Sequence, residues 1–190
     1  MKNALLVIDV QKIYTLEESS YFVTDESNVI QNINSLIAAF EKQKDLVLYI
    51  KHEHEPDGSD SGRMFDFAGE MEGVEFQKGS VEAEFDDKLL VLPNAHVIVK
   101  RRYNAFVGTP LLSILKENHI DKLTVCGFMT NYCCESTARY AHDIDFYVDF
   151  ILDATGTPGT EELDPIETIK ATAATLSGGF AVIKNTSDVV

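Results

Sequence analysis

The sequence predicts a doubly wound α/β fold: one parallel sheet of six strands with helices on both faces, filling a single domain over residues 1–190. Three observations predict it. Short apolar runs rich in branched residues recur along the chain, as buried parallel strands require. Segments with apolar residues at helical spacing separate them. The resulting alternation of strand and helix implies right-handed crossovers between parallel strands. No internal repeat, low-complexity tract or interdomain linker interrupts it.

The first strand is Ala4 to Val10, with Asp9 at its carboxyl end. In open α/β sheets that end faces the ligand crevice, so an acid there is a functional candidate as well as a possible turn cap. Val29, Ile33, Leu36, Ile37 and Phe40 mark one buried face of a helix ending near Gln43, and Asp45 to Lys51 is the second strand. Residues 52–95 keep neither period; an irregular stretch that long in a compact domain usually lines or covers a site. Within it, His52 and His54 form a His-x-His pair that can present both rings on one face of an extended segment. No third ligand stands at a recognisable spacing, so a metal site is not expected. The segment Glu75 to Phe85 lacks the spacing of a phosphate loop, which argues against nucleotides.

Ala95 to Lys100 is the third strand, and Lys100 leaves it at the crevice end either as an ion-pair partner or as a snorkelling side chain. Thr109 and Pro110 supply an N-cap and a first-turn proline for a helix through Leu111, Leu112 and Leu115, ending at Asn118. Lys122 to Gly127 is the fourth strand. Thr130 is expected to cap the helix after it, placing Cys133 at the third helical position. Tyr147 to Ala154 is the fifth strand, Asp164 to Glu167 is a capping box with proline in first place, and Gly178 and Gly179 stop that helix before a last strand, Phe180 to Lys184.

Composition narrows the function classes. With 31 acidic against 16 basic residues and a formal charge of −15, nucleic acid and anionic membrane surfaces are poor partners, and a small molecule is the expected one. No apolar run approaches the roughly 20 residues of a membrane span, and the N-terminus enters a strand rather than a cleavable signal. The chain is expected to be cytoplasmic. Cys126, Cys133 and Cys134 are odd in number and close together, so reduced thiols rather than a disulfide framework are expected.

Asp9, Lys100 and Cys133 each fall at or just past the carboxyl end of a different strand, so the fold brings them together across long sequence separations. Asp9 can take the thiol proton and Lys100 can hold the anions. The unpaired N–H groups at a helix start are expected to lower the thiol pKa, and backbone N–H groups of the turn from Met129 to Cys133 can bind an oxyanion. The competing reading is a buried, inert thiol, the common state of a free cysteine.

These residues resemble the isochorismatase-like cysteine hydrolases, which include nicotinamidases, N-carbamoylsarcosine amidases and isochorismatases. The likeness spans nearly the whole chain and is carried by ALLVIDVQ with Asp9 and Gln11, VKRRYNAFVGTPL with Lys100, and VCGFMTNYCCESTARYAHD with Cys133. It implies a catalytic triad of Asp9, Lys100 and Cys133, oxyanion donors at the backbone of Met129 and Cys133, and a cis peptide at Phe128-Met129. A six-stranded parallel sheet and a homo-oligomer, dimer or tetramer, belong to the same expectation. Gln11, His52, Glu84 and Phe128 are the candidate substrate contacts. Nicotinamidases of the family hold a metal through an Asp-x-His pair and a further histidine. Here His52-Glu53-His54 stands in that place and no histidine follows before His96, so neither metal nor other cofactor is expected. The resemblance implies hydrolysis of the C–N bond of a small amide or carbamoyl compound through a thioester. The alternatives are isochorismatase-type vinyl-ether hydrolysis, nicotinamidase activity, and a non-hydrolytic thiol, redox or binding protein.

Overall fold

The computed structural model describes residues 1–66, 68–70 and 73–190. Six strands form one all-parallel sheet: β1 (Asn3–Ile8), β2 (Leu46–His52), β3 (His96–Lys100), β4 (Lys122–Phe128), β5 (Tyr147–Gly156) and β6 (Val182–Lys184). Their order is β3-β2-β1-β4-β5-β6. The chain therefore winds outward through β1, β2 and β3, then crosses back to lay β4 on the other side of β1. The crevice of such a sheet opens at the carboxyl ends of β1 and β4, where the winding reverses.

Alternation along β1 sorts its side chains onto two cores. Leu5 and Val7 pack under α1 (Glu26–Gln43), whose Val29, Ile33, Leu36, Ile37 and Phe40 form the buried face that the spacing predicts, joined by Ile30. Ala4, Leu6 and Ile8 face the opposite core, shared with α2 (Leu111–Glu117), α3 (Glu135–Asp143) and Leu176 of α4 (Pro165–Ser177). The capping box at α4 forms: Asp164 Oδ1 accepts from Glu167 N at 2.8 Å, and Glu167 Oε2 accepts from Asp164 N at 3.2 Å. Among the described residues no helix is long and apolar enough to cross a membrane.

The structure corrects several boundaries for local reasons. β1 stops at Ile8 because Asp9 takes a left-handed φ of 50°, although its N–H still reaches Ile50 O at 3.0 Å. Pro110, not Thr109, occupies the cap position of α2, and Thr109 Oγ1 accepts from Leu111 N at 3.3 Å. β5 runs on to Gly156, and β6 begins only at Val182. Thr130 does not cap a helix: its Oγ1 bonds Thr155 Oγ1 at 3.0 Å, and Thr130–Cys134 is a π-helical turn ahead of α3. Cys133 thus sits in that π turn rather than at the third position of an α-helix.

Residues 53–95 contain no helix or ladder strand among those described. Single bridges tie the segment down, Gln11 to Phe85 and His54 to Gln77. At the end of β4, Gly127 has φ 119°, and a Cβ there would lie 1.9 Å from Ile8 O. Only glycine lets β4 run this close to β1 where the winding reverses. Gly127→Ala is expected to cost more than about 4 kcal/mol or to prevent soluble folding. Gly179→Ala, which meets nothing within 4 Å, is expected to stay within about 0.5 kcal/mol of the parent. Urea denaturation of both variants checks the contrast.

Candidate active site

Four strand ends build the site. Asp9 follows β1, His52 ends β2, Lys100 ends β3 directly opposite His52 in the register, and the turn after β4 carries Cys133. All four side chains are buried. Lys100 Nζ sits at the centre, in an ion pair 2.7 Å from Asp9 Oδ2, and donates to Arg102 O at 3.0 Å and Cys133 Sγ at 3.3 Å. The peptide bond between Phe128 and Met129 is cis, where the family resemblance puts it. Thr157 Oγ1 donates to Asn131 Oδ1 at 2.8 Å and, with the Thr130–Thr155 bond, pins the nucleophile turn to the end of β5.

The electrostatics correct the expected thiolate. Burial pushes the Cys133 thiol up to about 12; Lys100 pulls it down, but the Asp9 carboxylate raises it again. An anion beside an ion pair that is already neutral gains little from the cation, so the resting sulfur keeps its proton. Burial also raises Asp9 above the usual carboxylate range against the pull of Lys100. Lys100 stays cationic: burial disfavours its charge, and the Asp9 carboxylate is the foremost cause acting the other way, leaving its pKa raised. The site is a thiol beside a buried base, not a free thiolate at a helix end.

A cavity of about 480 Å³ opens over Cys133. Its walls are aromatic, with Tyr14, Tyr21, Phe65, Phe76, Tyr103 and Tyr132, and the irregular 53–95 segment supplies two of those rings together with Met64. Tyr103 and Tyr132 form a tilted ring pair with centroids 5.3 Å apart. His52 and Met129 line the cavity as well.

Three expected substrate contacts lie elsewhere. Gln11 is spent on structure: its Nε2 donates to His52 O at 2.8 Å and Ala83 O at 2.6 Å, and its Oε1 accepts from His52 N at 2.8 Å. Glu84 pairs with Lys51 at 3.1 Å on a side chain that is 56% exposed. Phe128 stacks on Tyr14, with centroids 5.3 Å apart, beneath the cavity rather than in its lining. The lining rings themselves went unread in the sequence. Tyr132 beside Cys133 and Tyr103 beside Lys100 were within reach of inspection, whereas Phe65 and Phe76 sit in a stretch with no period to mark them. Asp60, which bonds His54 Nδ1 at 3.0 Å, was equally unmarked.

The donor set does not suit a metal ion. Among the described residues the atoms of Asp9, His52 and Cys133 lie within 4.8 Å of one another and could in principle ligate. The Lys100 ammonium, however, already contacts two of the three, and a divalent cation would have to share their lone pairs with it. His54 offers no free nitrogen, since Nε2 faces His52 Nε2 at 3.0 Å and Nδ1 is engaged by Asp60.

The chain is similar in sequence and fold to known proteins. Residues 3–177 match the family model of the Isochorismatase domain. Ureidoacrylate amidohydrolase RutB from Cronobacter sakazakii is 27% identical over 176 residues, covering 83% of this chain and 76% of the relative. Among solved structures, a cysteine hydrolase from Pseudomonas syringae pv. phaseolicola superposes with a TM-score of 0.87 at 24% identity, over 99% of this chain and 90% of that one. An isochorismatase family protein from Desulfovibrio vulgaris gives 0.83 at 24% identity, over 98% and 95%. With the family model covering most of its length, this chain belongs to the isochorismatase family of hydrolases.

Proposed function

We propose that the protein hydrolyses the C–N bond of a small amide or carbamoyl compound through a thioester on Cys133, with Asp9 and Lys100 completing the catalytic triad. The observation that carries this reading is the Lys100 ammonium held between Asp9 and Cys133 at 2.7 and 3.3 Å beside an aromatic cavity. The likeness to an amidohydrolase supports the same bond class.

The residues assign the steps. As Cys133 Sγ bonds the carbonyl carbon, its proton passes to Asp9, and the new oxyanion is received by the backbone N–H groups of Met129 and Cys133. Collapse breaks the C–N bond while Asp9 returns that proton to the leaving amine. Water then attacks the thioester, giving Asp9 a proton that goes back to the departing sulfur. Lys100 holds Asp9 in place and balances the negative charge that moves between carboxylate and sulfur. No step is routed through a metal.

A redox or binding thiol would need only Cys133, whereas here the sulfur is framed by the Asp9 carboxylate and the Lys100 ammonium. Nicotinamidase chemistry lacks its metal donors here. Three buried free thiols suit a reducing compartment, so a cytoplasmic location belongs to this reading. So does a dimer or tetramer, supported by exposed Val97 and Val182 on the two edge strands.

Cys133→Ala is expected to abolish ammonia release from a panel of small amides while the protein remains folded by circular dichroism; Cys126→Ala and Cys134→Ala are expected to keep most of it. A folded Cys134→Ala that was equally inactive would reassign the nucleophile. Asp9→Asn is expected to lower turnover by roughly 10² to 10⁴. Because the base must be deprotonated and burial raises its pKa, kcat/KM of the parent should fall on acidification through a value above the ordinary carboxylate figure of about 3.9. A pH–rate profile with its acid limb at or below that figure would remove Asp9 from the base role.

A further inference from the structure

His52 has one buried atom that the proposed mechanism leaves unused. The ring is 1% exposed, stacks on Phe76 with centroids 4.3 Å apart and lines the cavity beside Cys133, yet its Nδ1 has no hydrogen-bond partner among the described residues. A buried polar atom without a partner is costly, and at a cavity wall a ligand can supply the missing bond.

The protons of the neighbouring groups decide what His52 Nδ1 can offer. Asp60 is clamped by the Arg101 guanidinium, and its Oδ1 accepts from Glu55 N at 3.2 Å. Against the opposing effect of partial burial, these bonds and the one from His54 hold Asp60 below the usual carboxylate range, so it has no proton to give. Its 3.0 Å bond to His54 Nδ1 therefore needs the proton on that nitrogen, which leaves His54 Nε2 with a lone pair. His52 Nε2 lies 3.0 Å from that lone pair and must carry the proton between them. A neutral ring with its proton on Nε2 has a bare lone pair on Nδ1. Burial disfavours the charged form of both rings and keeps them neutral, with Lys100 acting in the same direction on His52.

The rest of the cavity is also poor in cations. None of the described residues that line it is lysine or arginine, and Glu161 adds an acid at its edge. The cations behind this wall are engaged: Lys100 pairs with Asp9 and donates to Arg102 O and Cys133 Sγ, and the Arg102 guanidinium, which also acts on both rings, donates to Asp60 O at 2.9 Å and to Arg101 O.

We propose that the Asp60–His54–His52 chain fixes His52 Nδ1 as a hydrogen-bond acceptor for the N–H of a scissile primary amide, and that the substrate is an uncharged, flat amide without a carboxylate. This rests on the amide-hydrolase reading of the same site. A ring nitrogen of His52, the Asp9 carboxylate and the Cys133 sulfur share a sphere in which each donor lies within 4.8 Å of the others. The –NH2 of a carbonyl compound attacked by Cys133 would there lie between His52 and the acid that later protonates it. An ester has no N–H to offer, and binding it leaves Nδ1 bare.

The test has two arms. The first needs no substrate: nitrogen-15 NMR of protein labelled in its histidine rings, assigned with His52→Phe. At neutral pH it should show His52 Nδ1 as an unprotonated, pyridine-type nitrogen and Nε2 as protonated. A protonated Nδ1 would overturn the fixed acceptor. The second arm measures kcat/KM on benzamide, methyl benzoate and para-carboxybenzamide. The parent should favour benzamide over its carboxylated analogue. His52→Phe should lower kcat/KM on benzamide roughly 10- to 100-fold more than on methyl benzoate, as expected for losing a buried hydrogen bond that only the amide makes. His52→Gln, whose Oε1 can accept, should recover part of the benzamide loss. Equal losses on amide and ester would make His52 a packing residue, and faster turnover of the carboxylated amide would overturn the substrate class. A parent that hydrolyses neither amide nor ester would overturn the amide-hydrolase reading and the substrate claim together, while the nitrogen spectrum would still decide the acceptor.

Discussion

The buried ion pair between Asp9 and Lys100 is the constraint on which the site depends. Both side chains are closed off from water at 2.7 Å separation, and each alone would be an uncompensated buried charge that costs several kcal/mol. The ammonium also donates to Arg102 O and Cys133 Sγ. The partnership of Asp9 and Lys100 ties the carboxyl ends of β1 and β3, two strands apart in the sheet, into one rigid wall. The nucleophile is set against that wall by the close approach of β4 to β1 at Gly127. A neutral pair next to a neutral thiol has a chemical consequence: the base is already in place and unprotonated, so proton transfer and attack on a carbonyl can occur together.

Around this centre the molecule divides its tasks. Regular elements hold the reacting groups, and the irregular 53–95 segment shapes the space in front of them. Gln11 joins the two. Its amide bonds His52 O, His52 N and Ala83 O, and so fastens the loop to the end of β2. The same loop carries Asp60, whose clamp by Arg101 and bond to His54 reach the cavity through His52. A segment without secondary structure is thus held by specific polar bonds to the strands, as a loop that presents a binding surface must be.

Much of this was legible in the sequence, and what was missed has a common cause. The strands, α1 and the α4 capping box are local patterns, read from the spacing of Ile33, Leu36 and Ile37 or from Asp164-Pro165-Ile166-Glu167. The meeting of Asp9, Lys100 and Cys133 followed from placing each at a strand's carboxyl end. The misreadings concern groups whose fate depends on a distant partner. Thr130 looks like a cap until Thr155 is beside it. Gln11 looks like a ligand contact until two backbone segments claim its amide. The thiolate expectation counted the helix end and Lys100 but not the burial and the Asp9 charge that act against them. Phe65, Phe76 and Asp60 carry no periodic signal at all.

The central claim is that the resting site holds a neutral thiol beside an Asp9–Lys100 ion pair. Infrared spectroscopy of the S–H stretch tests it most directly, by difference between the parent and Cys133→Ser at neutral pH, with Cys126 and Cys134 replaced by alanine in both. The account predicts an S–H band from Cys133 in the parent that persists until the solution is strongly alkaline. A missing band at neutral pH, restored only on acidification, would show a resting thiolate and contradict the account.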